Sequence, residues 1–96
     1  MYIVKLLLEA EIELTETCAW YNKRKPGLGK SFLNEFNRSI NLLANNPLHF
    51  AVNFSEKYRF ALLKKFPYSI VYRIDDEQGH IVVISVFHQN RNPSKF

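Results

Sequence analysis

The chain has 96 residues and is 47% hydrophobic and 15% aromatic, which is ordinary for a globular protein and too apolar for a disordered one. A chain of this length closes one hydrophobic core, so we expect a single domain over residues 1–96. The formal net charge is +4, and most of the excess lies in residues 51–96, where seven Lys and Arg residues stand against four Asp and Glu residues. Such an excess attracts nucleic acid, anionic membranes or an acidic protein, and charge alone does not choose among these partners.

The single cysteine, Cys18, excludes an internal disulfide and fits a reducing compartment, so we expect a cytoplasmic protein. Cys18 falls in a helical row and is expected to be a small buried side chain. No stretch approaches the roughly 20 apolar residues that a membrane helix requires. The N-terminal apolar run is too short for a signal sequence and contains Lys5. We therefore expect a soluble protein with no membrane partner.

The first half of the chain predicts one strand and two helices. Residues 2–8 are a short apolar run, YIVKLLL, typical of a buried strand. A helix is predicted next, because acidic residues at its start and basic residues at its end complement the helix dipole. The acidic residues lie between Glu9 and Glu16, the basic ones are residues 23–25, and Pro26-Gly27 ends the helix. Its apolar row is Ala10, Leu14, Cys18 and Tyr21, with Trp20 beside it. A second helix ends at NNP (45–47), and its row is Leu28, Phe32, Phe36, Ile40 and Leu43, widened by Leu33. We expect an antiparallel hairpin with both rows buried, Trp20 included.

The second half predicts strands. A polar linker runs through NFSEK (53–57), and strands follow at 58–65, 68–74 and 80–88, the last two joined by the turn DDEQG (75–79). Alternation places Tyr58, Phe60 and Leu62 on the face that the helices cover, together with Tyr68, Ile70, Tyr72 and Ile74 of the next strand. The other face then carries Arg59, Ala61 and Leu63. The order β-α-α-β-β-β predicts an α+β fold, with the helical hairpin on one face of a small, mainly antiparallel sheet.

Several kinds of site are not indicated by the sequence. There is no Gly-rich phosphate loop, no paired-cysteine metal motif and no nucleophile elbow, so we expect neither a cofactor nor a metal. The acidic DDEQGH stretch is expected to be a solvated hairpin tip. What the strands could display together is a set of basic residues: Arg59, Lys64, Lys65, Arg73, His88 and Arg91. Lysine and arginine stems lying over apolar neighbours would explain the same set without a function.

Near the end of the chain, VISVFHQNRNP (83–93) is an apolar strand that turns abruptly polar. His88 follows Val82, Ile84 and Val86 at period two and should share their face. A histidine at a strand end is often a hydrogen-bonded edge of the core, and Arg91 could anchor the tail through backbone carbonyls. The alternative is that both side chains belong to a working surface.

These segments resemble the RelE/ParE family of toxins from type II toxin–antitoxin modules. The resembling pieces are WYNKRKPGLGKSFLNEF, NNP, RFALLKKFPYSIVYRI and VISVFHQNRNP, and they cover nearly the whole chain. The resemblance implies a toxin neutralised by a co-encoded antitoxin. Its target would be either DNA gyrase, as in the ParE-like branch, or mRNA on the ribosome, as in the RelE-like branch. The RelE-like branch cleaves mRNA without a metal, using basic residues and a tyrosine.

The residues match the nuclease branch only in part. Arg59 replaces a lysine of that branch, whereas Ala61, Ser69 and Gln89 fall where it has basic residues. If the protein is a nuclease, the resemblance makes His88, Arg91 and Arg59 the candidate catalytic residues; otherwise they would bind the target. Further target-binding candidates are Lys64, Lys65, Arg73 and Gln89. The ending VFHQNRNP is closer to the ParE-like branch and favours gyrase inhibition; mRNA cleavage and a non-toxic nucleic-acid-binding family member remain as alternatives.

Overall fold

A computed structural model describes residues 1–48, 51–53 and 57–96. Over these residues the order of elements is β1 (Ile3–Leu6), α1 (Leu8–Arg24), α2 (Leu28–Asn45), β2 (Ala51–Asn53), β3 (Arg59–Leu62), β4 (Tyr68–Asp75), β5 (His80–His88) and a 3-10 turn (Pro93–Lys95). The strands form one sheet in the order β1-β5-β4-β3-β2, in which β1 is parallel to β5 and the other neighbours are antiparallel. The helices cover one face of the sheet, so the predicted α+β architecture is confirmed.

The two edges of the sheet differ from the prediction. β2 is a short strand within the stretch predicted to be a linker, and it pairs antiparallel with β3. Residues 49–50 and 54–56 of that stretch lie outside the described residues. β1 is the opposite edge and pairs only with β5, so it is less buried than predicted and Ile3 is 60% exposed. A strand of three residues carries too little alternation to be recognised in a sequence.

The helices form the predicted hairpin, and their ends follow the local sequence. Glu9 and Glu11 occupy the first turn of α1 and Lys23 and Arg24 the last, so the charges complement the partial charges of the helix ends. Gly27 then takes a φ of 87°, a left-handed conformation that glycine adopts without steric cost, and α2 begins at the next residue.

Most residues of the apolar helix rows are buried or half-buried, and two are exposed. The half-buried ones are Leu14, Cys18, Leu28 and Ile40, so Cys18 is less buried than predicted. Five of their residues are at most 9% exposed: Ala10, Tyr21, Phe32, Phe36 and Leu43. Trp20 and Leu33, in contrast, are 48% and 37% exposed, so the prediction that they are buried is wrong. Each is adjacent in sequence to a buried residue and is therefore rotated by about 100° around the helix, away from the sheet.

An aromatic cluster fills the core between the helices and one end of the sheet. The ring of Phe32 contacts Tyr21, Phe66 and Tyr68, with centroids 5.5, 5.0 and 5.3 Å away. Tyr21 also meets Tyr68 edge-on at 6.2 Å. These contacts place the C-terminal end of α1, the loop before β4 and the first residue of β4 together.

Tyr72 joins the sheet to the far end of α2. It is fully buried on the helix side of the sheet, as predicted, and its hydroxyl donates a hydrogen bond to the carbonyl oxygen of Pro47. Burial raises the pKa of Tyr72 to about 12, although the nearby Arg59 guanidinium acts in the opposite direction. A buried ring with a committed hydroxyl cannot stack on a nucleic-acid base, so Tyr72 gives no support to base stacking.

The two faces of β3 are the reverse of the prediction. Ala61 belongs to the core beneath the helices, whereas Phe60 packs with Phe87 on the other face, which we call the open face. Arg59, two residues before Ala61, therefore projects on the helix side. Alternation could not assign the faces because both carry apolar residues: on the open face, the ring of Phe96 lies 5.8 Å from that of Phe60.

A β-bulge at Ile84 changes the alternation along β5, because this residue has no partner in the register with β4. Up to Val83 the odd-numbered residues face the helices, and from Val86 onwards the even-numbered residues do. His88 therefore shares a face with Val86, as predicted. Val82 and Ile84 lie on the open face, so the prediction that they share the face of His88 is wrong.

Candidate functional site

His88 ends β5 opposite Tyr68, and the two rings meet edge-on with centroids 4.9 Å apart. The Nδ1 atom of His88 accepts a hydrogen bond from the backbone N–H of Asn90 at 3.1 Å. A neutral imidazole whose Nδ1 accepts carries its proton on Nε2. The ring is thus held by its neighbours, and Nε2 is the atom that can bind an outside partner.

The polar stretch after His88 is an ordered turn. The backbone N–H of Gln89 donates to the Pro67 carbonyl at 2.8 Å, and that of Arg91 donates to the His88 carbonyl at 3.1 Å. The side-chain amide of Gln89 donates to the carbonyl of Tyr68 at 3.0 Å. Because its NH2 group is already bound within the molecule, Gln89 shapes the turn, and its predicted contact with a target stays a prediction.

Arg91 is exposed and lies where two cavities meet. Its guanidinium carbon is 5.4 Å from the centre of the Phe87 ring, a cation–π distance. One cavity, of about 220 Å³, lies on the open face and is lined by Phe60, Leu62, Ser69, Phe87, Gln89, Arg91 and Pro93. The other, of about 360 Å³, which we call the helix-side cavity, is lined by Glu13, Glu16, Thr17, Trp20, Tyr68, Val86, His88 and Arg91. Among the described residues no carboxylate forms a salt bridge with Arg91, so its charge can meet an outside partner.

The helix-side cavity contains two carboxylates that sequence reasoning missed. Glu13 of α1 accepts hydrogen bonds from the Ser85 hydroxyl at 2.7 Å and from the Val86 N–H at 3.0 Å, which ties the helix to the β-bulge. Glu16, almost one turn further along α1, is exposed. In the sequence both glutamates have the pattern of ordinary acids in the first half of a helix. Ser85 is the one feature of the sequence that indicates such a contact, because a hydroxyl in an otherwise apolar strand requires a polar partner.

Lys64 and Lys65 lie in the loop between β3 and β4, at the same end of the sheet as His88. Their backbone N–H groups donate to Oε2 of the buried Glu35 at 3.1 and 3.4 Å, and the Arg38 guanidinium binds its Oε1. Burial by itself raises the pKa of the Glu35 carboxyl, but these three donors together hold the pKa below its ordinary value. Glu35 therefore fixes the loop, while the two lysine side chains stay exposed.

Arg59 and Arg73 lie away from this end of the sheet. Arg59 is opposite Tyr72, and Arg73 is opposite Val82 on the open face. Tyr72 is four residues along β4 from Tyr68, a separation of about 13 Å at the rise of a strand. Contrary to the prediction, the six basic residues do not share one surface. The candidates that the structure brings to one end are Lys64, Lys65, His88, Gln89 and Arg91.

The end of the sheet opposite to His88 is acidic. The turn between β4 and β5 carries Asp75, Asp76 and Glu77, and the hydroxyl of Tyr2 donates to Asp76 at 2.7 Å. Within the described parts of the chain, no three His, Cys, Asp or Glu side chains are grouped so that they could hold a metal ion. In the same residues, neither helix is long and apolar enough to cross a membrane.

Comparisons with known proteins find solved structures of the same fold and one family model. The solved structures include the chromosomal ParDE system from P. aeruginosa, the intact RelBE toxin–antitoxin complex from E. coli and the RelBE2 complex from Mycobacterium tuberculosis. Their TM-scores are 0.78, 0.70 and 0.60, and their sequence identities 18%, 20% and 23%. The matches cover 92%, 95% and 91% of this chain, and 96%, 100% and 96% of the matched chains.

No curated protein sequence matches the chain. A family model, however, described as the ParE toxin of the type II toxin–antitoxin system parDE, matches residues 4–93. That range includes both helices, all of the sheet except Ile3 at the start of β1, and the turn that carries His88 and Arg91. The chain is therefore a toxin of a type II toxin–antitoxin system and belongs to the ParE toxin family.

Proposed function

We propose that this toxin arrests growth by binding DNA gyrase, with His88 and Arg91 as its main polar contacts and with no catalytic step of its own. The family match is to the ParE branch, for which the resemblance implies gyrase inhibition. The ending of the chain, which follows that branch more closely than the nuclease branch, supports the same target.

The observation that carries this proposal is the mixed charge of the helix-side cavity. Cleavage of RNA by its own 2′-hydroxyl requires positive groups around the phosphate, together with groups that transfer protons. Here the carboxylates of Glu13 and Glu16 line the same cavity as His88 and Arg91, and they repel a phosphate. Arg59, the other candidate catalytic residue, is separated from His88 by about 13 Å along the sheet. A protein surface, which carries charges of both signs, suits such a cavity better.

Each of the two side chains is suited to a protein contact. Arg91 offers a planar, permanently charged fork that can bind a carboxylate through two parallel hydrogen bonds. His88 presents Nε2 from a ring whose other nitrogen is already bound. The exposed Lys64 and Lys65 add positive charge at the same end, which speeds the approach of an acidic target.

An antitoxin is the second partner that we propose. Two of the matched structures are described as toxin–antitoxin complexes, and the resemblance implies a co-encoded antitoxin for this chain as well. The protein exposes large apolar side chains on both helices and on β1 and β3, including Ile3, Leu8, Leu42 and Leu62. Burial of such side chains would supply most of the affinity, with part of the antitoxin becoming ordered only on binding.

The test replaces each polar contact with its nearest equivalent. His88→Gln keeps a hydrogen-bond donor but cannot transfer a proton, and Arg91→Lys keeps the charge but loses the fork. We expect His88→Gln to remain toxic and Arg91→Lys to lose most growth arrest, measured as colony formation after induction. Both proteins should fold and still bind the antitoxin, which co-purification checks.

Arg73→Lys is the matched control, because Arg73 lies on the open face away from the site, and it should arrest growth like the parent. An RNA-cleaving enzyme would give the reverse pattern. If His88 is its general acid or base, His88→Gln would lose about 10²–10⁴-fold in cleavage rate. A non-toxic His88→Gln beside a fully toxic Arg91→Lys would therefore refute gyrase binding without catalysis.

A further inference from the structure

Trp20 is the single tryptophan of the chain and lies on the surface instead of in the core. It is 48% exposed and lines the helix-side cavity from α1. His88 and Arg91 line the same cavity from the end of the sheet. Half-exposed indole rings are enriched at protein interfaces, because the ring is largely apolar while its N–H can reach a polar partner.

The ring of Trp20 is held in place by two neighbours on the same helix. Tyr21 meets it edge-on, with centroids 5.0 Å apart and an interplanar angle of 84°. The guanidinium carbon of Arg24, four residues further on, lies 4.3 Å from the ring centre. A ring that is already oriented loses little conformational entropy when a partner binds, so these contacts prepare Trp20 for binding.

The charges around Trp20 indicate what kind of partner fits. Glu13 and Glu16 lie in the same cavity and repel the phosphates of a nucleic acid. Arg24 on one side and Arg91 on the other can each bind a carboxylate. Tryptophan and arginine are also the residues most enriched among those that dominate protein–protein affinity. A protein segment that carries charges of both signs, with carboxylates for Arg24 and Arg91 and an apolar side chain for the indole, matches this combination.

We infer that Trp20 is the central apolar contact of a surface that docks the toxin's target protein, with Arg24 and Arg91 binding acidic side chains of that target around it. The inference rests on the proposed function only for the identity of the target as gyrase. It makes α1, in addition to the end of β5, part of the target-binding surface.

The first test uses growth arrest, which does not depend on knowing the target. Trp20→Ala should lose arrest, and Trp20→Phe, which keeps an aromatic ring, should retain part of it. Ile12→Ala is the matched control, because Ile12 is 49% exposed on the same helix but lines a different groove. It should arrest growth like the parent. Thermal melting should show that all three variants are folded.

Trp20→Ala that is folded and arrests growth as strongly as the parent would overturn the inference, whether or not its antitoxin binding changes. With purified gyrase, the toxin concentration that halves DNA supercoiling should rise about 30-fold or more for Trp20→Ala, the range of a dominant interface residue. For Ile12→Ala it should stay within about twofold of the parent.

The second test separates a protein partner from RNA. Because the chain has one tryptophan, its fluorescence reports on this surface alone. Titration with a single-stranded RNA oligonucleotide should leave the emission maximum and the quenching by acrylamide unchanged. An RNA that shifts the emission and protects Trp20 from acrylamide would show that the cavity binds nucleic acid, which contradicts the inference.

The two proposals can fail separately. If gyrase is insensitive to the parent toxin while Trp20→Ala loses growth arrest and RNA leaves the fluorescence unchanged, the gyrase target is wrong. The docking surface then stands with another protein as its partner. If the parent inhibits gyrase and Trp20→Ala inhibits it equally, the gyrase target stands and the role of Trp20 is refuted.

Discussion

Glu35 is the residue on which the arrangement of the basic end depends most directly. Glu35 is only 5% exposed, and its carboxylate accepts hydrogen bonds from the backbone N–H groups of Lys64 and Lys65. The link joins α2 to a loop 29 residues further along the chain. A buried carboxylate with several donors is stable as an anion, and removing its charge leaves those donors poorly satisfied.

Glu35→Gln should lower the free energy of unfolding by about 1–3 kcal/mol, the usual cost of leaving a buried polar group unsatisfied. The new amide can accept at its oxygen but turns an NH2 group towards donors. Denaturant unfolding at neutral pH measures the change. Glu77→Gln, at the exposed tip of the β4–β5 turn, is the control and should stay within about 0.5 kcal/mol of the parent.

The same residue predicts a dependence of stability on pH. The pKa of Glu35 is lowered in the folded protein. Its contribution to the free energy of unfolding is therefore fully present above about pH 4.5, which is the ordinary pKa of a glutamate. Below that value the unfolded chain takes up the proton first, so this contribution is lost as the pH falls through the folded-state pKa. In Glu35→Gln this part of the acid sensitivity should be missing. Parent and variant curves that run parallel between neutral pH and pH 3 would show that Glu35 is not held as an anion.

At the scale of elements, the helical hairpin depends on a close approach at Gly29. A Cβ atom there would lie 2.3 Å from the carbonyl oxygen of Cys18 and 2.8 Å from the Asn22 side chain. The N–H of Gly29 also donates to Oδ1 of Asn22 at 2.8 Å. Contact with backbone cannot be relieved by a rotamer change, so a larger residue must push the helices apart.

Gly29→Ala should therefore lower the melting temperature, even though alanine favours a helix more than glycine does. Overpacking of this kind costs about 1–3 kcal/mol, which in a domain of this size corresponds to a fall of several degrees. Lys30→Ala is the control, because Lys30 is exposed beside Gly29 on α2, and the free energy of unfolding of this variant should stay within about 0.5 kcal/mol of the parent. A Gly29→Ala protein that melts at or above the parent temperature would mean that the helices do not touch at this position.

The elements differ in how far the sequence could predict them. The helices and their buried rows follow from large apolar side chains at helical spacing, and Phe32, Phe36 and Leu43 lie where that spacing puts them. The faces of β3 could not be assigned from the sequence, because both carry apolar residues. The open face is apolar because Phe96 packs against Phe60 there. The bulge at Ile84 changes the register without any change in composition. Alternation therefore assigned Val82 and Ile84 to the wrong face, but it correctly placed His88 on the face of Val86.

At the scale of the whole molecule, the two ends of the sheet differ in charge. The β4–β5 turn is acidic, whereas the other end gathers the loop lysines, His88, Arg91 and the basic end of α1, which the Tyr21–Tyr68 contact brings there. Such a separation of charge orients a protein as it approaches an acidic surface. His88 and Arg91 could be proposed from the sequence because they are close together in it. Glu13 and Trp20 could not, since the packing of α1 on β5 joins residues 72 positions apart.

We propose that the site binds gyrase and performs no reaction, and DNA supercoiling by purified gyrase is the decisive measurement. The parent toxin should stop supercoiling at concentrations close to that of gyrase, and Arg91→Lys should require about tenfold more. Translating ribosomes exposed to the same toxin should keep their mRNA intact. Full gyrase activity in excess toxin, together with mRNA cut on the ribosome, would show that the toxin is an RNA-cleaving enzyme instead.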